Sequence, residues 1–255
     1  MNTVPLLQGA AAAAYLGAAG LLGAGSRRRR LAAAGVVLAA GGFCVHLFVL
    51  VWRWLEIGKL PIVTRYEDMT VDALAVAGVY LLAQWRRPLL RPAGIGVLPL
   101  AAAALSAALW YNLGSFPWTP ALRTNWLVIH SQLNSLAIGI ATLTAAASLL
   151  PQGDEKTRIV GRLLAWTFFL WTAMVAAGSY WASLAWGRYW GWDPIESWSL
   201  VTLLGYAFVL HLRLKPAWRG RGGDLLGLVP YAMMLFTTYG LLLVMRSVHG
   251  RYLFL

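Results

Sequence analysis

The chain has 255 residues, 60% of them hydrophobic and 12% charged, a composition too apolar, in runs too long, for a soluble domain. A formal net charge of +12 would point to nucleic acid in a soluble protein, but here the basic residues fall in short connections between apolar runs. They act there as orientation signals, and no nucleic-acid partner is expected. The single cysteine, Cys44, excludes an internal disulfide and any dithiol chemistry by this chain alone.

About 20 apolar residues cross a bilayer, and on that measure the chain reads as about eight transmembrane helices. Their approximate limits are 4–25, 31–54, 67–85, 93–111, 126–150, 159–184, 197–214 and 225–247. The first lacks a basic segment before it and is followed by Arg27, Arg28, Arg29 and Arg30, so it reads as a retained helix that starts outside, not a signal peptide. Every connection is short and no repeat is evident, so the expected fold is all-α and polytopic, one transmembrane domain over 1–255.

Orientation follows from the basic residues. Arg27 to Arg30, then Arg86, Arg87 and Arg91, then Lys156, Arg158 and Arg162, then Arg213, Lys215, Arg219 and Arg221 occupy one set of connections, which is expected to be cytoplasmic. The other side carries Arg53, Lys59, Arg65, Arg123, Arg188, Arg246 and Arg251, offset by Glu56, Glu67, Asp68, Asp72, Asp193 and Glu196. Both termini and the loop at 186–200 are then expected on the outer side.

That loop runs Trp186-Gly187-Arg188-Tyr189-Trp190-Gly191-Trp192-Asp193-Pro194-Ile195-Glu196-Ser197-Trp198. Lipid-facing sequence avoids Arg188, Asp193 and Glu196, and a solvated loop gains little from so many large rings. Scattered tryptophans alone would read as an interfacial belt. Glycine spacers and an Asp-Pro-x-Glu within the same run go beyond a belt. They fit a platform for a broad, flat, mostly apolar ligand with a polar edge, such as a porphyrin. Asp193-Pro194 also reads as an N-cap and first helical residue, with Glu196 completing the start of the seventh span; this is simpler than paired-acid glycosidase chemistry.

Four histidines are present, His46, His130, His211 and His249, all within or at the ends of predicted spans. Any one of them alone reads equally well as a satisfied core side chain. As a set they are more informative. His130 and His249 fall near the outer surface, on either side of the Trp-rich loop, where two neutral imidazoles could ligate a haem iron from both faces. His46 lies roughly 12 to 16 Å below the outer end of its helix and His211 roughly 20 Å below its own, which makes an inner pair a weaker expectation. Arg53 follows His46 by seven positions on the same helical face and is a candidate partner for a haem propionate.

At these residues the chain resembles the cytochrome c assembly proteins with a tryptophan-rich WWD motif, most closely the CcsA/ResC branch of system II. The resemblance rests on Trp186-Gly187-x-Tyr189-Trp190-x-Trp192-Asp193-Pro194-x-Glu196-x-Trp198. It extends to His46 with Arg53-Trp54, Gly58, Pro61 and Tyr66-Glu67, to Trp126 with His130, to His211 with Arg213, and to His249. Ile195 and Val248-His249-Gly250 depart from the pattern, where a basic residue and Leu-His-Ser are expected.

The resemblance implies that haem b passes from an inner site, with His46 and His211 as axial ligands, to an outer site with His130 and His249 as ligands. Trp186, Trp190, Trp192 and Asp193 would form the surface that presents it. There the vinyl groups would meet the Cys-x-x-Cys-His thiols of an apocytochrome c. The chain would then be the haem-attaching component of a cytochrome c synthase, working with a CcsB/ResB-like membrane protein and, indirectly, a thioredoxin-like thiol reductant, in the bacterial cytoplasmic membrane lipid. Alternatives are a WWD-type chaperone delivering haem to a carrier, a b-type electron-transfer cytochrome, and a transporter of another flat amphiphile.

Overall fold

A computed structural model describes residues 3–25, 28–111 and 118–250. Arg27 of the basic run and Arg251 of the outer arginines lie outside the described residues. The described secondary structure is helical throughout, and seven helical segments are long and apolar enough to cross a membrane. The chain is an all-α integral membrane protein. It divides into two compact units, Met1–Ser115 and Phe116–Leu255.

The first unit contains α1 (Thr3–Ala24), α2 (Arg29–Ile57), α3 (Arg65–Arg86) and α4 (Gly94–Ala108), the last preceded by 3-10 turns over Pro88–Ala93. Small residues bring α1 and α2 together, because lipid offers no hydrophobic drive for helix association and close van der Waals approach must supply it. Gly35 of α2 illustrates the fit: a methyl at that position would lie 3.0 Å from the Ala18 carbonyl oxygen. Helix α1 also packs on α4, and α3 packs on α4 and α2.

Helix α3 is the expected span absent from the seven apolar segments. Its length suffices, at 22 residues, but its first turns carry Arg65, Glu67, Asp68 and Asp72. Several of these charges build its start. Thr64 is the N-cap of a capping box, and Glu67 Oε2 accepts the amides of Val63 at 3.0 Å and Thr64 at 3.1 Å, satisfying donors that a helix start leaves open. Arg65 pairs with Asp68 at 3.4 Å.

The second unit contains α5 (Asn125–Ser148), α6 (Asp154–Trp186), α7 (Pro194–Leu212) and an interrupted last span, Arg221–Val244. That span consists of α8 (Arg221–Leu226), α9 (Leu228–Leu235), a π-turn over Phe236–Gly240 and α10 (Leu241–Val244). Pro230 offers no amide to the carbonyl one turn earlier, which coincides with the break at Gly227. Helices α5 and α6 form the main pair, with α7 on α6 and α9 against α7 and α5.

The end of this unit opposite the Trp-rich loop is closed by a buried charge cluster. Asp224 is fully buried and pairs with Lys156 at 2.8 Å and Arg213 at 2.5 Å. Lys156 also donates to the Ser148 carbonyl at 3.2 Å and Arg213 to the Thr157 carbonyl at 3.1 Å. One carboxylate thus ties α8 to the start of α6 and the end of α7.

Candidate functional site

At the other end of the second unit, α6 stops at Gly187, whose φ of 72° is left-handed and suits glycine. The chain then crosses the Trp-rich loop and enters α7 through Asp193 and Pro194. The capping box read from the sequence is present: Asp193 Oδ1 accepts the Ile195 amide at 3.1 Å, and Glu196 Oε2 accepts the Asp193 amide at 3.1 Å. The same Glu196 oxygen accepts the Gly191 amide at 2.7 Å, so one carboxylate gathers the loop. The Arg188 guanidinium lies over Gly191, in the space that a side chain there would take.

Trp192 has φ 57°, the only positive φ at a non-glycine among the described residues, a conformation that is costly for a bulky side chain. The loop holds it there while leaving the ring 71% exposed. Trp190 meets Trp192 edge to face, with centroids 5.9 Å apart. On the flank, Trp126 packs on Tyr180 at 4.6 Å and Tyr180 on Tyr189 at 6.3 Å.

His249 follows α10 in a short turn that docks on Asp193. Ser247 Oγ donates to Asp193 Oδ1 at 2.6 Å, the Val248 amide donates to Oδ2 at 3.0 Å, and His249 Nδ1 lies 3.3 Å from Oδ1. Burial alone would raise the Asp193 carboxyl. The hydrogen bonds from His249, Ser247 and Val248 outweigh it and hold the group well below the usual carboxylate range. An ionised carboxylate only accepts, so the shared proton sits on His249 Nδ1 and the neutral ring keeps its lone pair on Nε2.

His130 reaches the same arrangement by a different route. It sits in the second turn of α5, after the Thr124 N-cap, and its Nδ1 lies 2.9 Å from the Met174 carbonyl of α6. A carbonyl can only accept, so Nδ1 carries the proton and Nε2 the lone pair. Gly178 gives the ring its place, since a methyl there would lie 2.6 Å from Cε1 and Nδ1.

Trp181 is the neighbour both imidazoles share. Its centroid lies 6.2 Å from that of His130, with the rings 14° from parallel, and 6.1 Å from that of His249. Its Nε1 donates to the Ala121 carbonyl at 2.9 Å. Trp186 packs edge-on against Trp181 at 5.0 Å and His249 at 4.8 Å. The structure therefore brings His130, His249, Trp186 and Asp193 into one cluster. It adds Trp181, Gly178, Ser247 and the Met174 carbonyl, which the sequence reading missed.

The remaining site residues are His46 and Arg53 of the first unit and His211 of the second. His46 is fully buried in the first unit, with Nδ1 3.2 Å from the Tyr15 hydroxyl. His211 is exposed in the last turn of α7. Arg53, expected to meet a propionate, is buried between carboxylates, 3.3 Å from Glu56 and 3.4 Å from Glu67, with its guanidinium 5.8 Å from the Tyr66 ring centroid. Glu67, fourteen positions on, was not tied to Arg53 by any sequence pattern.

A family model described as cytochrome C assembly protein matches residues 42–249. Cytochrome c biogenesis protein CcsA of Synechococcus sp. (strain CC9605) is 28% identical over 248 residues, covering 79% of this chain and 81% of that protein. CcsA of Synechococcus sp. (strain RCC307) is 30% identical over 216 residues, covering 68% and 70%. The solved structure of the cytochrome c haem lyase CcmF matches with a TM-score of 0.73 at 19% identity, over 98% of this chain and 48% of that one. It shares the fold, and this chain spans about half its length. Because the matched stretch, residues 42–249, covers most of the chain and the whole Trp-rich loop, this chain belongs to the cytochrome c assembly protein family.

Proposed function

We propose that the chain holds haem b as its substrate at the outer cluster and presents it for attachment to the Cys-x-x-Cys-His thiols of an apocytochrome c. Membership of the cytochrome c assembly family places the chain in cytochrome c biogenesis. The observation that carries the finer reading is that His130 and His249 both have Nδ1 committed to an acceptor, Met174 O and Asp193, which leaves both Nε2 lone pairs for a metal.

In this reading His130 and His249 are the axial ligands. Trp186 with Trp181 walls the ligand, Trp190 and Trp192 extend the apolar surface, and Asp193 orients His249. The macrocycle supplies the vinyl groups that the thiols add across. The protein contributes position and exclusion of water, which convert an encounter of two reactants into an oriented one. His46 and His211 are also proposed as haem ligands, the support being the fully buried His46 Nε2, which has no hydrogen-bond partner. Arg53 would reach a propionate only by exchanging one of its two carboxylate partners.

The proposal includes a CcsB/ResB-like partner, a thiol reductant acting indirectly, and a topology with both termini and the Trp-rich loop outside, as the distribution of basic residues supports. The test is to purify the chain with a co-expressed CcsB-like partner and record reduced spectra and the pyridine haemochrome for wild type and each single histidine variant. Equal loss of outer haem in His130→Ala and His249→Ala, with cytochrome c maturation abolished, is expected. Normal maturation in both variants would overturn the assignment.

A further inference from the structure

His130 offers Nδ1 to a carbonyl, and His249 offers Nδ1 to the Asp193 carboxylate and to Ser247 Oγ, 3.3 Å away, whose own proton goes to Asp193. The His46 Nδ1 faces the Tyr15 hydroxyl at 3.2 Å, and a hydroxyl can donate or accept as its proton rotates. Both side chains are fully buried. His46 Nε2, fully buried, has no hydrogen-bond partner.

The pairing is built into the packing. Gly42 lies one turn before His46 in α2, and a methyl there would sit 3.3 Å from Tyr15 Cδ1 and Cε1 and 2.9 Å from the Ala14 Cβ. The tyrosine ring therefore rests in a gap that only glycine leaves. Tyr15 comes from α1, ahead of residue 42 where the family match begins.

We propose that Tyr15 is the positioning residue of His46: its hydroxyl pairs with either tautomer of the buried ring and so allows Nε2 to alternate between carrying the proton and offering a lone pair. This rests on the reading of His46 as a haem ligand. Without haem, Tyr15 donates to Nδ1 and the ring proton sits on Nε2. With iron at Nε2, the same single proton sits on Nδ1 and the hydroxyl accepts it. Neither state leaves Nδ1 unpaired.

A fixed acceptor would hold one tautomer only, as Met174 O and Asp193 do for the outer pair. A phenol oxygen is also a weaker acceptor than a carboxylate, so it raises the basicity of its imidazole less. His46 is thereby the more weakly donating and more exchangeable ligand.

The test uses the full chain in detergent with 15N-labelled histidine. The His46 ring signals are assigned by their loss in His46→Ala. Without haem, the wild type is expected to show His46 with the proton on Nε2, and Tyr15→Phe is expected to shift those signals toward a tautomer mixture. Hemin titrated into a His249→Ala background should bind about ten- to a hundredfold more weakly when Tyr15→Phe is added. Gly42→Ala keeps the hydroxyl but displaces the ring, and should move the signals in the same direction by a smaller amount. It decides the matter if Tyr15→Phe does not fold. His46 signals and hemin affinity unchanged in both variants would overturn the proposal. Unchanged hemin binding in His46→Ala would overturn the inner-haem reading instead, while the haem-free signals would still decide whether Tyr15 pairs with His46.

Discussion

Asp193 Oδ1 and His249 Nδ1 lie 3.3 Å apart although the residues are 56 positions apart in the chain. The same carboxylate caps α7, accepting the Ile195 amide at 3.1 Å. A helix start and a candidate metal ligand are therefore fixed by one group. Asp193→Asn retains much of the cap, since asparagine caps about as well, but loses the charge that polarises His249. Outer haem affinity should fall about ten- to a hundredfold while the melting temperature changes little, as read by the haemochrome and by thermal unfolding. Equal haem content in the variant would remove Asp193 from the ligand's support.

Gly178 provides a steric test of His130. A methyl at that position would meet the imidazole at 2.6 Å, and the ring cannot retreat while it stays bound to Met174 O. Gly178→Ala should displace His130, cost about 1 to 3 kcal/mol, and remove outer haem without touching any polar group. Retention of a low-spin outer haem would show that His130 is not held as described.

The cluster was partly legible from the chain itself, and the reason differs between residues. Asp193, Pro194 and Glu196 announce a helix start at fixed spacing, because capping is local. The spans were legible because bilayer thickness sets their length, with α3 read as one despite the charges that build its cap. Trp181 and Gly178 were hidden in an apolar run, since nothing local separates a tryptophan packed in a core from one that walls a site. Ser247 gave no signal either, since its partner Asp193 lies 54 positions away. The Arg53 ion pair was hidden for the same reason, since Glu67 belongs to another helix.

The charge cluster at the far end of the second unit predicts a purely structural effect. Asp224→Asn leaves Lys156 and Arg213 without their shared carboxylate in a buried setting, and breaking such a pairing costs about 3 to 5 kcal/mol. The variant should unfold at lower temperature, with the haem lost only in proportion to the unfolded fraction. Haem loss from fully folded protein would instead give the cluster a direct part in the site.

Trp192 separates stability from function more sharply. Its left-handed φ of 57° costs about 1 to 2 kcal/mol for an L-residue, and its ring, 71% exposed, recovers little of that through burial. The strain therefore serves to aim the ring, and the two costs can be measured apart. Trp192→Gly removes both strain and ring, whereas Trp192→Ala removes the ring and keeps the strain. Trp192→Gly should be at least as stable as wild type and more stable than Trp192→Ala, yet both should lose outer haem to the same extent. If thermal unfolding ranks them so and only the haem content falls in common, the exposed indole acts on the ligand. If both retain wild-type haem, Trp192 belongs to the membrane interface and the ligand surface ends at Trp190.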